Sequence, residues 1–226
     1  MAAQPHDGIT TAVEDYAKAI YTLQRRSAGR PVSTNAVAER LGVTPASASG
    51  MLRRLAEHGL ATHVPYHGVE LTGEGRRVAL AVMRHHRLLE LFLAEQLGVP
   101  WDRVHEEAEV LEHVLSEDLE ARIATKLGNP THDCHGDPIP SADLSIDEGD
   151  TVPLEDLEPG ERARLTRVSD GDPAMLRYLS QLGIHLGVTI EVRDRQPFGG
   201  PMSVAAAGAE HALGGRLLSA LHVVRL

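Results

Sequence analysis

The sequence predicts a mainly α fold with small β content, and three observations carry that reading. Apolar residues recur at helical spacing through the first 126 residues. Short strand-like runs separated by Gly-rich turns fill the last third. Aromatic residues make up only 3% of the chain, so its core must be Leu, Val, Ala and Ile, which suits helix packing.

Thr10 to Gln24 reads as a helix, with Ile9, Val13, Ala17, Ile20, Tyr21 and Leu23 on its apolar side, and Ser27-Ala-Gly-Arg-Pro31 breaks it. Ser33 caps a short helix through Leu41, with Ala36, Val37 and Leu41 on one face. Gly42 to Pro45 is a tight turn in which Thr44 caps the next helix and Pro45 takes its permitted first position. That helix runs to about His58, turns Ala48, Met51, Leu52 and Leu55 inward, and stops at Gly59. Leu60–Val64 and Val69–Thr72 form a hairpin around Pro65 to Gly68. A long helix covers about 73 to 96 and another about Trp101 to Lys126. Gly128–Pro140 is a Gly/Pro-rich loop, and residues 141–160 carry seven acids and no base, as a linker does. Strand candidates are Ala163–Val168, Thr189–Asp194, Met202–Ala206 and Ala220–Val224, a small β-barrel pattern.

The net charge of the 226 residues is −10, which at first argues against a nucleic-acid partner. The charge is unevenly spread: +2 over residues 1–77, −5 over 78–128 and −7 over 129–226. One cysteine rules out an internal disulfide framework and fits a reducing compartment. No apolar run reaches the ~18 residues of a membrane span, and Met1–Asp7 lacks the basic and apolar regions of a signal peptide. A cytoplasmic protein without a membrane partner is expected. A nucleophile elbow, a phosphate-cradling loop and a dinucleotide fingerprint are all missing, so no enzyme is expected.

Helix, turn, second helix and hairpin over 33–72 make a winged helix-turn-helix. Small residues on the second helix let it sit deep in a major groove, while hydroxyls and guanidinium groups bind phosphates. Thr44, Ala46, Ser47, Ser49, Arg53 and Arg54, with His67 at the hairpin tip, are the candidate DNA contacts. A plain helical bundle with solvent-facing Ser and Arg carries the same residues.

The two long helices carry residues of metal-ligand type. His86 and Glu90 form an i,i+4 pair. His105, Glu109, Glu112 and His113 fall within about a 100° arc of one helix. Carboxylates and imidazoles together suit Mn²⁺ or Fe²⁺ better than a Cys-rich zinc site. The other reading is a solvated acidic face with incidental His. His132-Asp-Cys134-His135 is a second cluster, otherwise a polar turn with a lone thiol.

Several stretches together resemble the diphtheria toxin repressor family of metal-dependent transcriptional regulators over nearly the whole chain. They are Glu14-Asp-Tyr-x-x-x-Ile-Tyr21, Val43-Thr-Pro-Ala-Ser-Ala-Ser49, Leu71-Thr-x-x-Gly-Arg76, His86-Arg-Leu-Leu-Glu90, His105-Glu-Glu-Ala-Glu-Val-Leu-Glu-His113, Gly128-Asn-Pro and Gly136-Asp-Pro-Ile-Pro140. The resemblance implies a winged helix-turn-helix DNA-binding domain (1–73), a helical metal-binding and dimerisation domain (74–140), a linker (141–152) and a C-terminal SH3-like β-barrel (153–226). The last is marked by Leu179-x-x-Leu-Gly-Ile-x-x-Gly187. It implies a homodimer that binds a palindromic operator when loaded with metal. The activating ligands carry over to Asp15, Glu109, Glu112 and His113. A second site maps to His86, Glu90 and His105, with His135 and Asp172 as additions. Iron-sensing members have Met and Cys where this chain has Asp15 and Glu109, so the set resembles the manganese-sensing branch, with Fe²⁺ the alternative effector. Two rivals stand beside this reading: a winged-helix regulator sensing a small organic ligand, and a metallohydrolase in which the DNA-reading third has no role.

Overall fold

The computed structural model describes residues 10–226 apart from positions 28 and 65. Ile9 on the first helix, the N-terminal stretch Met1–Asp7, Ala28 and Pro65 therefore lie outside the described residues. The chain divides into two compact units, one up to His85 with Pro140–Ser145, the other His86–Ile139 with Ile146–Leu226.

In the first unit, helices α1 (Thr11–Arg26), α2 (Thr34–Leu41) and α3 (Pro45–Glu57) precede a hairpin of β1 (Ala61–Val64) and β2 (Gly68–Leu71). Local chemistry sets the boundaries. Ser33 Oγ accepts from Ala36 N at 3.2 Å, and Thr44 Oγ1 accepts from Ser47 N at 3.2 Å. Gly42 closes α2 in the left-handed region with φ 63°. Val13, Ala17 and Ile20 of α1, Val37 of α2 and Ala48 and Leu55 of α3 are fully buried. The hairpin is antiparallel, with Ala61 opposite Leu71 and Val64 opposite Gly68. Val32 extends it: its N–H donates to Val69 O at 2.8 Å and Val69 N–H donates back to Val32 O at 2.9 Å.

Helix α4 (Gly73–Leu97) contains the boundary between the units. The second unit continues with α5 (Val104–Leu111) and α6 (Glu117–Lys126), which share an apolar cluster of Leu88, Leu91, Ala108, Ile123 and Ile139. Next come β3 (Val152–Pro153), β4 (Arg162–Val168), α7 (Pro173–Gln181), β5 (Thr189–Arg195), β6 (Met202–Ala206), β7 (Ala209–Leu213), α8 (Arg216–Ala220) and β8 (Leu221–Arg225). The strands form one antiparallel sheet in the order β3-β8-β4-β5-β6-β7. Leu165, Val168, Leu176, Leu179, Ile190 and Val204 fill its core. Among the described residues, no helix is long and apolar enough to cross a membrane.

The elements correct the sequence reading in several places: α7 and α8 are helices where only strands and turns are expected, and β3 lies inside the stretch read as linker. The single helix expected over Trp101–Lys126 is two, broken after Leu111. Ser116 Oγ accepts from Leu119 N at 3.3 Å and starts α6 afresh. Strand β7, absent from the expectation, holds Glu210 and His211 but follows a two-residue turn, Ala207-Gly208, with both φ positive, and that turn sets its register.

Gly68 has φ +113°, and a Cβ there would lie 2.0 Å from Val32 O. Gly68→Ala must therefore open the Val32–Val69 pairing. The expected loss is on the order of 2–4 kcal/mol, the range of strained-backbone substitutions. Urea unfolding followed by circular dichroism checks it, and wild-type stability would refute it.

Candidate metal centre and outer face of α3

Helix α3 buries Ala48, Leu52 and Leu55 and leaves Ala46, Ser47, Ser49, Arg53 and Arg54 exposed, with Thr44 exposed at its N-cap. The spacing puts one apolar stripe inward and the candidate DNA contacts outward. His67 at the hairpin tip is also exposed. These are the positions that a groove-reading helix and wing require.

The second unit gathers ligand-type side chains from four stretches of chain. Glu90 of α4 is fully buried. Its Oε1 accepts from His86 Nε2 at 3.0 Å, one turn back, and lies 3.2 Å from His105 Nδ1 of α5. His105 Nδ1 is also 3.1 Å from Asp170 Oδ2, just past β4. The ligand atoms of His86, Glu90, His105 and Asp170 all lie within 4.8 Å of one another. On the other side, Glu90 Oε2 is buried without a hydrogen-bond partner, and His135 Nδ1 stands 3.8 Å away. A third grouping joins His86 to Glu109 and Glu112. His86 Nδ1 bonds the buried Glu112 Oε2 and lies 3.8 Å from Glu109 Oε1. His113 Nε2 is 3.4 Å from Glu112 Oε1. Glu112 and His113 lie beyond the end of α5, yet Glu112 keeps helical angles (φ −58°, ψ −31°).

The electrostatics are those of clustered acids held by imidazolium. Burial raises the Glu90 carboxyl, but the charge of His86, the hydrogen bonds from His105 and His86 and the nearby His135 imidazole outweigh it and hold the group well below the usual carboxylate range. Burial disfavours the His105 imidazolium, while Asp170 and Glu90 push its pKa up to about 10. His135 is likewise pushed up to about 12, against its own burial, by Cys134 and Glu90. Burial pushes the Cys134 thiol up, which disfavours the thiolate.

The donor set and the unpartnered Glu90 oxygen fit a divalent cation held by nitrogen and oxygen. His86, Glu90 and His105 come together as the spacing predicts, and His135 approaches Glu90 from the loop. Asp172 does not join them, which corrects the sequence reading. Its Oδ1 caps α7 by accepting from Ala174 N at 3.1 Å, and Arg216 pairs with it at 3.2 Å. Asp170 takes the place expected of Asp172. The signal was present, since an Asp directly before Pro173 is a helix-cap pattern. Asp133, read in the sequence only as a member of the His132–His135 loop cluster, is a buried neighbour of Glu90 and His135. Its Oδ1 accepts from His135 N and Asp137 N, both at 2.9 Å. His132, by contrast, is exposed. Asp15 lies on α1 in the first unit.

Residues 8–69 match the iron dependent repressor N-terminal DNA binding domain. Residues 72–141 match the iron dependent repressor metal binding and dimerisation domain, and residues 152–225 the FeoA domain. The iron-dependent repressor IdeR of Mycobacterium tuberculosis is 33% identical over 217 residues, covering 90% of this chain and 92% of that protein. The diphtheria toxin repressor of Corynebacterium efficiens is 33% identical over 83% of this chain and 85% of its own length. Among solved structures, a manganese-dependent transcriptional repressor in complex with manganese has a TM-score of 0.89 at 46% identity, covering 95% of this chain and all of that one. The manganese regulator SloR has a TM-score of 0.81 at 28% identity, over 96% of this chain and all of its own.

An imidazole nitrogen that ligates a cation must first lose its proton. With His105 and His135 protonated at neutral pH, Mn²⁺ uptake should release protons and its affinity should rise from pH 6 to pH 8. Calorimetry in two buffers of different ionisation enthalpy measures the release. Affinity independent of pH would show that these imidazoles stay protonated and do not bind metal.

Proposed function

The chain belongs to the diphtheria toxin repressor family of metal-dependent transcriptional repressors, and from that premise we propose that Mn²⁺ is its activating ion. The observation that carries the choice is the donor chemistry: the chain has the carboxylates Asp15 and Glu109 where iron-sensing members have Met and Cys, so all the expected ligands offer only nitrogen and oxygen. Fe²⁺ is the second reading, favoured by the 33% identity to iron-dependent repressors.

Two sets of residues divide the work. Asp15, Glu109, Glu112 and His113 form the activating site by resemblance to the family, with Asp15 and Glu109 standing where iron-sensing members have Met and Cys. His86, Glu90, His105, His135 and Asp170 form the second site. A bound divalent cation supplies positive charge that neutralises these carboxylates. Without it, clustered acids repel or take up protons. By resemblance to the family, Asp15 is the ligand that the DNA-binding domain contributes, and effector binding favours the DNA-competent state.

The operator is palindromic and the active form a homodimer, each copy presenting Thr44, Ala46, Ser47, Ser49, Arg53, Arg54 and His67 to a half-site. Val110 near the end of α5 is 71% exposed and Val114 in the turn beyond it 76%, with Leu119 of α6 also exposed. These apolar side chains form the dimer contact. The protein acts in the cytoplasm, with residues 1–73, 74–140 and 153–226 as its DNA-binding, metal-binding and SH3-like domains.

Fluorescence polarisation with operator DNA, titrated with Mn²⁺ and anaerobic Fe²⁺, tests the reading. Affinity should rise at least tenfold with metal, and Asp15→Asn with Glu109→Gln should abolish the rise. A metal-dependent rise undiminished in the double variant, or metal-free operator binding by that variant as tight as that of the Mn²⁺-loaded wild type, would refute the mechanism. Separately, Val114→Asp should shift the sedimentation coefficient from dimer to monomer and weaken operator binding.

A further inference from the structure

We infer that Trp101 is a positioning residue for the metal cluster, because its backbone carbonyl decides which nitrogen of His135 faces Glu90. The inference rests on the metal-binding reading above. His135 Nε2 lies 2.7 Å from Trp101 O. A carbonyl only accepts, so Nε2 carries the proton. The other nitrogen, Nδ1, lies 3.6 Å from Cys134 Sγ and 3.8 Å from the Glu90 Oε2 that has no hydrogen-bond partner, and it is the nitrogen turned toward the cluster.

Trp101 is itself held by α7. Its Nε1–H donates to Ser180 Oγ at 2.8 Å, and the neighbouring Asp102 pairs with Arg177 at 3.1 Å. The Ser180 hydroxyl donates onward to Leu176 O at 3.0 Å, which leaves its lone pairs to the indole. The indole stacks on the His135 ring, with centroids 5.8 Å apart and planes at 23°. The main chain of His135 is pinned as well: its N–H donates to Asp133 Oδ1 at 2.9 Å, and its carbonyl accepts from Val168 N at 2.9 Å. A ring held at one nitrogen, one face and both main-chain groups has a single orientation. Outer partners of this kind typically set metal affinity by 10–100-fold. The C-terminal β domain thus contributes Asp170 directly and shapes His135 through Ser180 and Trp101.

Trp101 is the sole tryptophan, so its emission reads occupancy of this site apart from any other. Ser180→Ala should move the Mn²⁺ midpoint of Trp101 emission about tenfold higher while the thermal unfolding midpoint holds. Trp101→Phe, followed by calorimetry, should weaken the equivalent that His135→Gln removes. The double variant should be no weaker than Trp101→Phe alone, because the indole–Ser180 bond is already gone. Wild-type Mn²⁺ affinity in both single variants would overturn the inference while leaving the metal reading intact. Failure of the wild-type protein to take up Mn²⁺ would overturn both.

Discussion

The second unit is organised around a carboxylate that has no access to water. Glu90 is fully buried on α4, and an isolated charge there would be prohibitively costly. Three imidazoles meet it: His86 from its own helix, His105 from α5 and His135 from the loop before Pro140. Asp170 joins through His105. Stretches of chain 80 residues apart in sequence, Glu90 and Asp170, are therefore bound into one electrostatic problem. Protons solve it in one way, by turning imidazoles into imidazolium. A divalent cation would solve it in another, by replacing those protons. The two solutions compete for the same atoms, which is the physical basis of a sensor.

The supports around that charge are as specific as the ligands. Arg87, one residue after His86, donates to Pro138 O and lies 3.4 Å from Asp137 Oδ1. Asp137 also lies 3.4 Å from Arg167 Nε on β4. Gly136, between them, has φ +84°, and a Cβ there would sit 2.0 Å from Thr166 O. The loop carrying His135 is thus pressed onto β4, the strand that leads to Asp170. One docking contact sets the reach of two side chains of the cluster, His135 and Asp170.

What the sequence discloses and what it hides divide along the range of the interaction. Ser33, Thr44 and Pro45 mark helix starts because capping is settled within three residues, and the elements follow closely. His86 and Glu90 are legible because an i,i+4 spacing puts both on one side of a helix. The break after Leu111 was hidden, since helical periodicity persists through Glu112 and only the Ser116 cap announces a restart. Asp170 was hidden for another reason. Two acids two residues apart look alike in one dimension, and only the cap at Pro173 separates the structural one from the one beside His105. Asp133 was hidden because nothing local reveals that a polar loop residue is buried beside a charge.

The same reasoning resolves the negative charge of the chain. An overall −10 would oppose DNA if it were spread evenly, but residues 1–77 carry +2. The outward face of α3 has Arg53 and Arg54 and no acid among its candidate contacts. Electrostatic attraction to phosphate is local, because screening at physiological salt limits it to about 8 Å. Among the acids elsewhere, Glu90 and Asp170 lie against imidazoles, while Asp102, Asp118, Glu161, Asp172 and Glu191 pair with arginines. Net charge therefore averages over acids with unlike partners, and says little about the face presented to a nucleic acid.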